Sequence, residues 1–246
     1  MRSKRKQRFY CQTIQEGAEE IILSGDTAHH LTKVLRFKPG DILTVFDGSG
    51  FEWDSKILDK KRKSVVVKLL AKNKPIVESP LKITLMQSVS RSQRMDLVVQ
   101  KATELGVHRI VPMLTNNSVV QLDSKNAKKK IDHWKNIIIN AAEQSGRVTL
   151  PLIEEPTQLN ETLLHLYKNE HAFFLDTTGT TNLGSKKADS ITIAIGPEGG
   201  FTEVEKNMAD QAGYHIVKTG PRLLRTETAP IMAISILQYL YGDLAN

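Results

Sequence analysis

The chain has 246 residues, with 34 Lys and Arg against 27 Asp and Glu and a formal net charge of +7 at pH 7. This length can bury a substantial core, and the basic balance indicates a polyanionic partner. A single cysteine, Cys11, excludes an intrachain disulfide and a cysteine-based zinc site. No stretch is apolar enough to cross a membrane, so we expect a cytoplasmic protein with no membrane partner.

The charge is concentrated at one end of the chain. Residues 1–80 hold 16 Lys and Arg and 10 Asp and Glu, a net of +6, whereas residues 81–246 hold 18 and 17, a net of +1. This asymmetry indicates an RNA-holding module followed by a chemical module. A soluble protein with a basic surface would show the same charge.

A basic arm opens the chain and runs into Phe9 and Tyr10. Arg5 and Arg8 in this arm are candidate phosphate contacts, and the two rings are able to stack on bases. The rings are predicted instead to begin a core strand, which is the commoner fate of such residues.

A helix with a small set of strands is predicted next. Asp26 is the expected N-cap of a helix through Leu35, and strands are expected at 42–46, 51–58 and 64–70. These short elements indicate a small β-barrel. The adjacent pair His29 and His30 does not predict a metal site, because neighbouring helical residues point to different faces. Candidate RNA contacts here are Arg36 and the turn residues Lys60, Lys61 and Arg62, although such a turn is often only a solvated tip.

Residues 73–80 carry Pro75 and Pro80 and are predicted to be a linker between a domain at 1–72 and one at 81–246. Beyond the linker, strands alternate with helices, which indicates a mostly parallel α/β sheet covered on both faces. Strands are predicted at 81–87, 107–114, 150–153, 172–176, 191–195 and 214–218, and helices at 95–105, 124–145, 157–167, from 203 onward and at 229–241. Arg91, ahead of the first of these helices, is a further candidate RNA contact.

Two glycine-cornered loops follow the last two predicted strands, and each precedes a helix. The first begins at Gly196 and leads into a capping box from Thr202 to Glu205; the second begins at Gly220. Open α/β sheets bind ligands at such loops. Neither the dinucleotide fingerprint nor the phosphate-binding loop is present, and Glu198 would repel a phosphate, so a cationic or zwitterionic nucleoside is favoured. Glycines that serve only close packing are the alternative.

The final helix, at 229–241, is apolar nearly all round. Such a helix must be covered on both sides. A second subunit or the chain itself would provide the cover.

Two long motifs, at 195–201 and 220–229, closely resemble the RsmE family, bacterial 16S rRNA uracil-N3 methyltransferases of the SPOUT superfamily. Shorter matches at 8–10, 29–36, 39–49, 100–107 and 142–147 extend the resemblance over essentially the whole chain. It implies an α/β fold with a PUA-like RNA-binding barrel, a SPOUT domain with a C-terminal trefoil knot, and a homodimer. The implied substrate is a uridine near the decoding site of 16S rRNA in the small ribosomal subunit.

The resemblance also implies an S-adenosylmethionine site between three loops, at 175–178, 196–201 and 219–229. Arg225 is expected to stabilise the uracil anion, and Glu198 or Glu227 to accept the imide proton. Each glutamate has a structural alternative, as a ligand of loop amides or a charge at a helix start. The implied cofactor-binding residues are Leu175, Ile195, Gly196, Pro197, Glu198, Gly199, Gly200, Thr219, Gly220, Leu223 and Leu224.

One departure from the family pattern is Asn116-Asn117, where the family usually has an acidic residue and Arg. Two other functions stay open at this point. A different SPOUT enzyme would methylate ribose 2′-OH or guanine, and a non-enzymatic assembly factor would bind rRNA without chemistry.

Overall fold

A computed structural model describes residues 7–12, 14–120, 124–169, 171–184 and 188–245. The chain divides into two compact units. The first comprises Met1–Glu78 with Ala142–Leu150, and the second Ser79–Ala141 with Pro151–Asn246. The domain limits at 72 and 81 stay a prediction, and the candidate RNA contact Arg5 lies outside the described residues.

The first unit contains a five-stranded sheet whose order is β1-β3-β4-β5-β2. β1 pairs with β3 in parallel and the other pairs are antiparallel. The prediction that Phe9 begins a core strand is confirmed, whereas β2 was not predicted. The hydrogen-bonded path leaves β1 and β2 as edges among these residues, and two register shifts bend β4 against β5. The strands are β1 Arg8–Tyr10, β2 Glu20–Ser24, β3 Ile42–Phe46, β4 Glu52–Lys60 and β5 Ser64–Asn73.

The helix of this unit begins before the predicted N-cap. Helix α1 spans Gly25–His29 and continues as a π-helical turn, His30–Val34. The prediction of Asp26 as N-cap is therefore wrong, because Ser24 precedes the helix and Asp26 lies in its first turn. A carboxylate in that position still favours the positive end of the helix dipole. His30 packs edge-on against the Phe9 ring, with centroids 6.2 Å apart.

Arg8 is engaged inside the first unit. Its guanidinium pairs with Glu52, donates to the carbonyl of Arg147 at 2.9 Å and lies over the ring of Phe46. The predicted role of Arg8 in RNA binding would require these contacts to break.

The second unit is an α/β unit around a seven-stranded sheet, whose strands pair in parallel throughout the described residues. The predicted parallel α/β architecture is confirmed. The order is β12-β10-β11-β6-β7-β8, with β9 also paired to β7. The strands are β6 Lys82–Ser88, β7 Arg109–Leu114, β8 Leu152–Ile153, β9 Thr157–Gln158, β10 Ala172–Leu175, β11 Ser190–Ile195 and β12 His215–Val217.

Helices α2 Ser92–Glu104, α4 Glu161–Tyr167, α5 Glu203–Gln211 and α6 Thr228–Tyr241 belong to this unit, as does most of α3 Ser124–Ser145, whose last turn from Ala142 falls in the first unit. The predicted helix start at 157 is wrong. Thr157 and Gln158 pair with β7, and Asn160 caps α4 by accepting the N–H of Leu163 at 2.8 Å. The predicted capping box of α5 is confirmed, with the Thr202 and Glu205 side chains each bonded to the other's backbone N–H.

Among the helices that the structure describes, none combines the length and apolar character needed to cross a membrane. The residues that the structure describes contain no group of three His, Cys, Asp or Glu side chains placed to hold a metal ion.

Candidate active site

The carboxyl ends of β10, β11 and β12 open onto one cavity of about 590 Å³. These three strands are neighbours in the sheet, so the loops that follow them meet at the same edge. The loop after β11, residues 196–201, is called the glycine loop below. The long loop after β12, residues 218–227, is called the crossing loop.

Every cofactor-binding residue predicted from the sequence lines this cavity, and so does Arg225. The structure therefore brings the predicted set together, although its role in binding stays a prediction. Leu223 is exposed, at 83%. The predicted residues in the lining are Leu175, Ile195, Gly196, Pro197, Glu198, Gly199, Gly200, Thr219, Gly220, Leu223, Leu224 and Arg225.

Two glycines of the glycine loop also have a packing reason. A Cβ at position 196 would lie 3.0 Å from the ring of Phe201, and one at position 199 would lie 3.2 Å from the Cβ of Asn117. Phe201 is itself buried and stacks on Phe174, with centroids 3.9 Å apart. Close packing therefore gives a reason for glycine at both positions, and both positions also line the cavity.

The glycine loop is held from several sides. Thr226 of the crossing loop donates its hydroxyl to the carbonyl of Gly196 at 3.0 Å and accepts from Gln87 at 3.4 Å. Asn117 donates its side-chain amide to the carbonyls of Gly199 and Gly200 at 3.3 and 3.0 Å. These bonds are made within the protein itself, so the loop is shaped before any ligand enters.

Arg94, on α2, is a cavity residue that sequence reasoning missed. Its guanidinium pairs with Glu198, and its Nε lies 3.8 Å from Glu227 Oε2. No spacing signal connects Arg94 with residues more than a hundred positions later, so only the fold reveals the cluster. Glu198 is thus engaged by a cation rather than by loop amides, and the buried Oε2 of Glu227 accepts no hydrogen bond among the described residues.

Arg225 lies in the crossing loop, just before the N-terminus of α6. Its carbonyl accepts the N–H groups of Thr228 and Ala229 at 2.9 and 3.0 Å, which fixes the backbone at this point. The side chain lines the cavity, and in the described part of the chain no carboxylate lies within 4.0 Å of it. Its charge is therefore available to a group bound in the cavity.

The loop after β10 is tied to α5. Asp176, which lines the cavity, accepts the N–H and hydroxyl of Thr178 at 2.9 and 2.7 Å. Lys206 reaches Glu203 at 2.6 Å and Asp176 at 3.7 Å. The hydrogen bond that Lys206 donates to Glu203, with the added charge of Asp176, raises the pKa of Lys206. Lys206 therefore stays a cation beside this loop.

The remaining candidate RNA contacts are not among the residues that line the cavity. Arg36 is exposed and has a left-handed backbone, with φ of +56°. Lys60, Lys61 and Arg62 are exposed at the β4–β5 turn, where Lys60 Nζ donates to the Thr32 carbonyl at 3.3 Å. Arg91 is exposed just before α2, in the second unit. Their contact with RNA stays a prediction.

Comparisons with known proteins match both parts of the chain. The family model described as RNA methyltransferase domain matches residues 77–238, and the one described as RNA methyltransferase PUA domain matches residues 23–70. Together the two matches cover most of the sequence.

Curated relatives and solved structures match over nearly the full length. Ribosomal RNA small subunit methyltransferase E of Buchnera aphidicola subsp. Schizaphis graminum is 36% identical, covering 98% of this chain and 99% of the relative. A putative methyltransferase of Legionella pneumophila, solved with bound cofactor SAM, matches with a TM-score of 0.93 and 36% identity over 98% of this chain and all of that one. Ribosomal RNA small subunit methyltransferase E of Neisseria gonorrhoeae, bound to S-adenosyl methionine, matches with a TM-score of 0.89 and 34% identity over 97% and 99%.

Proposed function

We propose that this chain, which belongs to the ribosomal RNA small subunit methyltransferase E family, methylates N3 of one uridine near the decoding site of 16S rRNA. The coarser activity, S-adenosylmethionine-dependent methylation of small-subunit rRNA, is that of its family. The observation that carries the proposal is the cavity at three strand ends, lined by both motifs of the family resemblance. A cytoplasmic location is proposed with it, because the substrate is ribosomal.

The cavity fits S-adenosylmethionine. Its volume falls within the roughly 300–1,000 Å³ of small-molecule sites. Leu175, Ile195 and Leu224 offer apolar walls for an adenine, and the glycine loop offers backbone N–H and C=O groups. Glu198 contributes a carboxylate to the cavity lining, which would suit the positive sulfonium and ammonium groups of the cofactor. These residues would hold the cofactor.

When bound, S-adenosylmethionine supplies an electrophilic methyl group, so the hard chemistry belongs to the cofactor. The chain must align the uracil N3 with that methyl, and alignment of two reactants lowers a barrier by roughly 7–11 kcal/mol. The uridine must leave its stack before N3 is reachable. Arg225 would stabilise the negative charge that spreads onto the uracil carbonyl oxygens as N3 loses its proton.

The imide proton requires an acceptor, and two carboxylates share Arg94. Glu198 lines the cavity but is paired with that arginine, whereas Glu227 keeps a buried oxygen without a hydrogen bond among the described residues. Both stay candidates for the base. Arg94 lies within ion-pair distance of both carboxylates.

The β4–β5 turn is proposed to contribute electrostatic affinity for RNA. Replacing Lys60, Lys61, Arg62 and Lys63 by Ser should weaken RNA binding and flatten its salt dependence, since each lost phosphate contact changes the log–log slope by roughly 0.7–0.9. Binding titrations between 50 and 200 mM salt, roughly the range over which such contacts are resolved, give the slope. An unchanged slope would make the turn solvated surface.

A second copy of the chain is the proposed cover for α6. One face of this helix is buried against its own unit through Ala233, Ile234 and Leu237, but Tyr239 is 63% and Leu240 47% exposed. Such an exposed apolar face typically marks an interface. Sedimentation at micromolar concentration should show one species of twice the 27.5 kDa chain mass. A monomer that binds the cofactor normally would contradict the homodimer.

A trefoil knot formed by the C-terminal segment is part of the proposal. The path of the crossing loop supports it: β12 pairs with β10 at one end of the strand order, yet Thr226 reaches Gly196, after β11, and Gln87, in β6. The chain thus returns across the ends of two strands before α6 begins. A crystal structure in which the C-terminal segment does not pass through a loop of the backbone would contradict the knot.

The activity is tested by incubating the protein with S-adenosylmethionine carrying a deuterated methyl and small-subunit rRNA, either naked or assembled. Digestion and mass spectrometry should place the label on N3 of uridine. Label on ribose 2′-OH or guanine would favour another SPOUT activity. RNA binding without any label would favour an assembly factor.

A further inference from the structure

Asn117 lies beside the glycine loop and outside the cavity lining. Its Nδ2 donates to the carbonyls of Gly199 and Gly200 at 3.3 and 3.0 Å. We propose that Asn117 is a positioning residue that holds the glycine loop in the shape that receives S-adenosylmethionine. This inference rests on the proposed function, because it takes the glycine loop as a wall of the cofactor site.

The turn that carries Asn117 is rigid. The N–H of Ser118 donates to the carbonyl of Thr115 at 3.0 Å, which closes the turn at the end of β7. The hydroxyls of Ser88, Thr115 and Ser118 lie 2.8–3.0 Å from one another, and Ser118 Oγ also accepts the Thr115 N–H at 3.0 Å. A hydrogen-bond network in which every hydroxyl has a partner holds the turn in one conformation. Asn117 therefore projects from a fixed base.

The same turn is anchored to the helix that follows the glycine loop. The backbone N–H of Asn116 donates to Glu205 Oε1 at 2.9 Å. Glu205 is 2% exposed, and its other oxygen accepts the N–H of Thr202 at 2.8 Å. The turn is thus hydrogen-bonded to the glycine loop through the Asn117 side chain and to the start of α5 through the Asn116 backbone.

The bonds from Asn117 fix the direction of two peptide planes. In a trans peptide the C=O and N–H point in opposite directions, so holding the carbonyls of Gly199 and Gly200 also sets the N–H groups of Gly200 and Phe201. The Gly200 N–H accordingly donates to the Pro197 carbonyl at 3.0 Å, closing a tight turn. Without Asn117, glycine peptides would sample other orientations. Apparent affinity then falls with the fraction of molecules in the competent shape.

Both acceptors are carbonyl oxygens, so the position requires a donor. Asn117→Asp keeps the size of the side chain but presents a carboxylate to two carbonyls, which removes both bonds and adds repulsion. Asn117→Ala removes the donor without adding charge. Asn116→Ala is the matched control, because Asn116 holds Glu205 through its backbone N–H alone.

The experiment is calorimetric titration of each full-length variant with S-adenosylmethionine, together with steady-state methyl transfer. Asn117→Asp should raise the Kd by about 10-fold or more, and Asn117→Ala by about 3- to 10-fold. The KM for the cofactor should rise in step while kcat at saturating cofactor stays within about twofold, as expected when only binding is lost. Asn116→Ala should match the wild type.

Wild-type affinity in both Asn117 variants would overturn the positioning role and leave the proposed function standing. A wild-type chain that does not bind S-adenosylmethionine would overturn the proposed function and this inference together. If Asn117→Asp lowers the melting temperature, Asn117→Ala with a wild-type melt decides the matter. A loss in kcat alone would also contradict the positioning role.

Discussion

Replacing Arg225 by Lys is expected to lower the rate of methyl transfer by about 10²–10³-fold, the cost of removing one good oxyanion donor. Lysine keeps the charge but loses the planar fork that can reach a carbonyl oxygen with fixed geometry. Arg225 is well placed for that role. It lines the cavity, and the next residue, Thr226, is buried and bonded to Gly196.

The affinity for S-adenosylmethionine should change little in Arg225→Lys, because the interaction develops mainly in the transition state. Single-turnover transfer to rRNA beside direct cofactor titration separates the two quantities. Arg222→Lys, in the same loop, is the comparison and should cost less than about 10-fold in rate. Equal losses of rate and affinity would make Arg225 a binding residue, and unchanged turnover would remove it from the mechanism.

Gly199→Leu is expected to abolish detectable cofactor binding while the protein keeps a cooperative melt. A Cβ at this position already lies 3.2 Å from Asn117, so the rest of the leucine must enter the cavity or displace the loop. Gly199 itself is exposed and lies in a loop rather than in a strand, so the fold should tolerate the change. Calorimetry and thermal unfolding report the two effects separately.

The matched control for this prediction is Gly184→Leu. Among the described residues, no atom lies within 4 Å of a Cβ placed at position 184, and the residue is outside the cavity lining. Gly184→Leu should bind the cofactor like the wild type. Undiminished binding by Gly199→Leu would take the glycine loop out of the cofactor site.

Local patterns predicted much of the fold. The capping box from Thr202 to Glu205, the long α3 helix and the β3, β4 and β5 strands depend on residues close in sequence, and each is found where it was expected. The errors arise where distant residues decide. Thr157 and Gln158 read as the start of a helix until β7 pairs with them, and β2 forms because β5 provides a partner.

The candidate site divides in the same way. Its loops were predictable because parallel strands end at one edge, so motifs far apart in sequence meet there. The charged cluster around Arg94 could not be predicted, because Arg94 and Glu198 lie 104 positions apart in the sequence and no repeat or spacing links them. Asn117 was noticed only as a departure from a family pattern. Its bonds to Gly199 and Gly200 become visible once β7 and β11 lie in one sheet.

The most direct test is nucleoside mass mapping of small-subunit rRNA from cells with and without the gene. Loss of the gene should remove one 3-methyluridine near the decoding site and leave the other modified nucleosides unchanged. The wild-type gene should restore it, and a gene encoding Arg225→Lys should restore little. An unchanged map, or the loss of a ribose-methylated or guanine-methylated nucleoside instead, would contradict uridine N3 methylation.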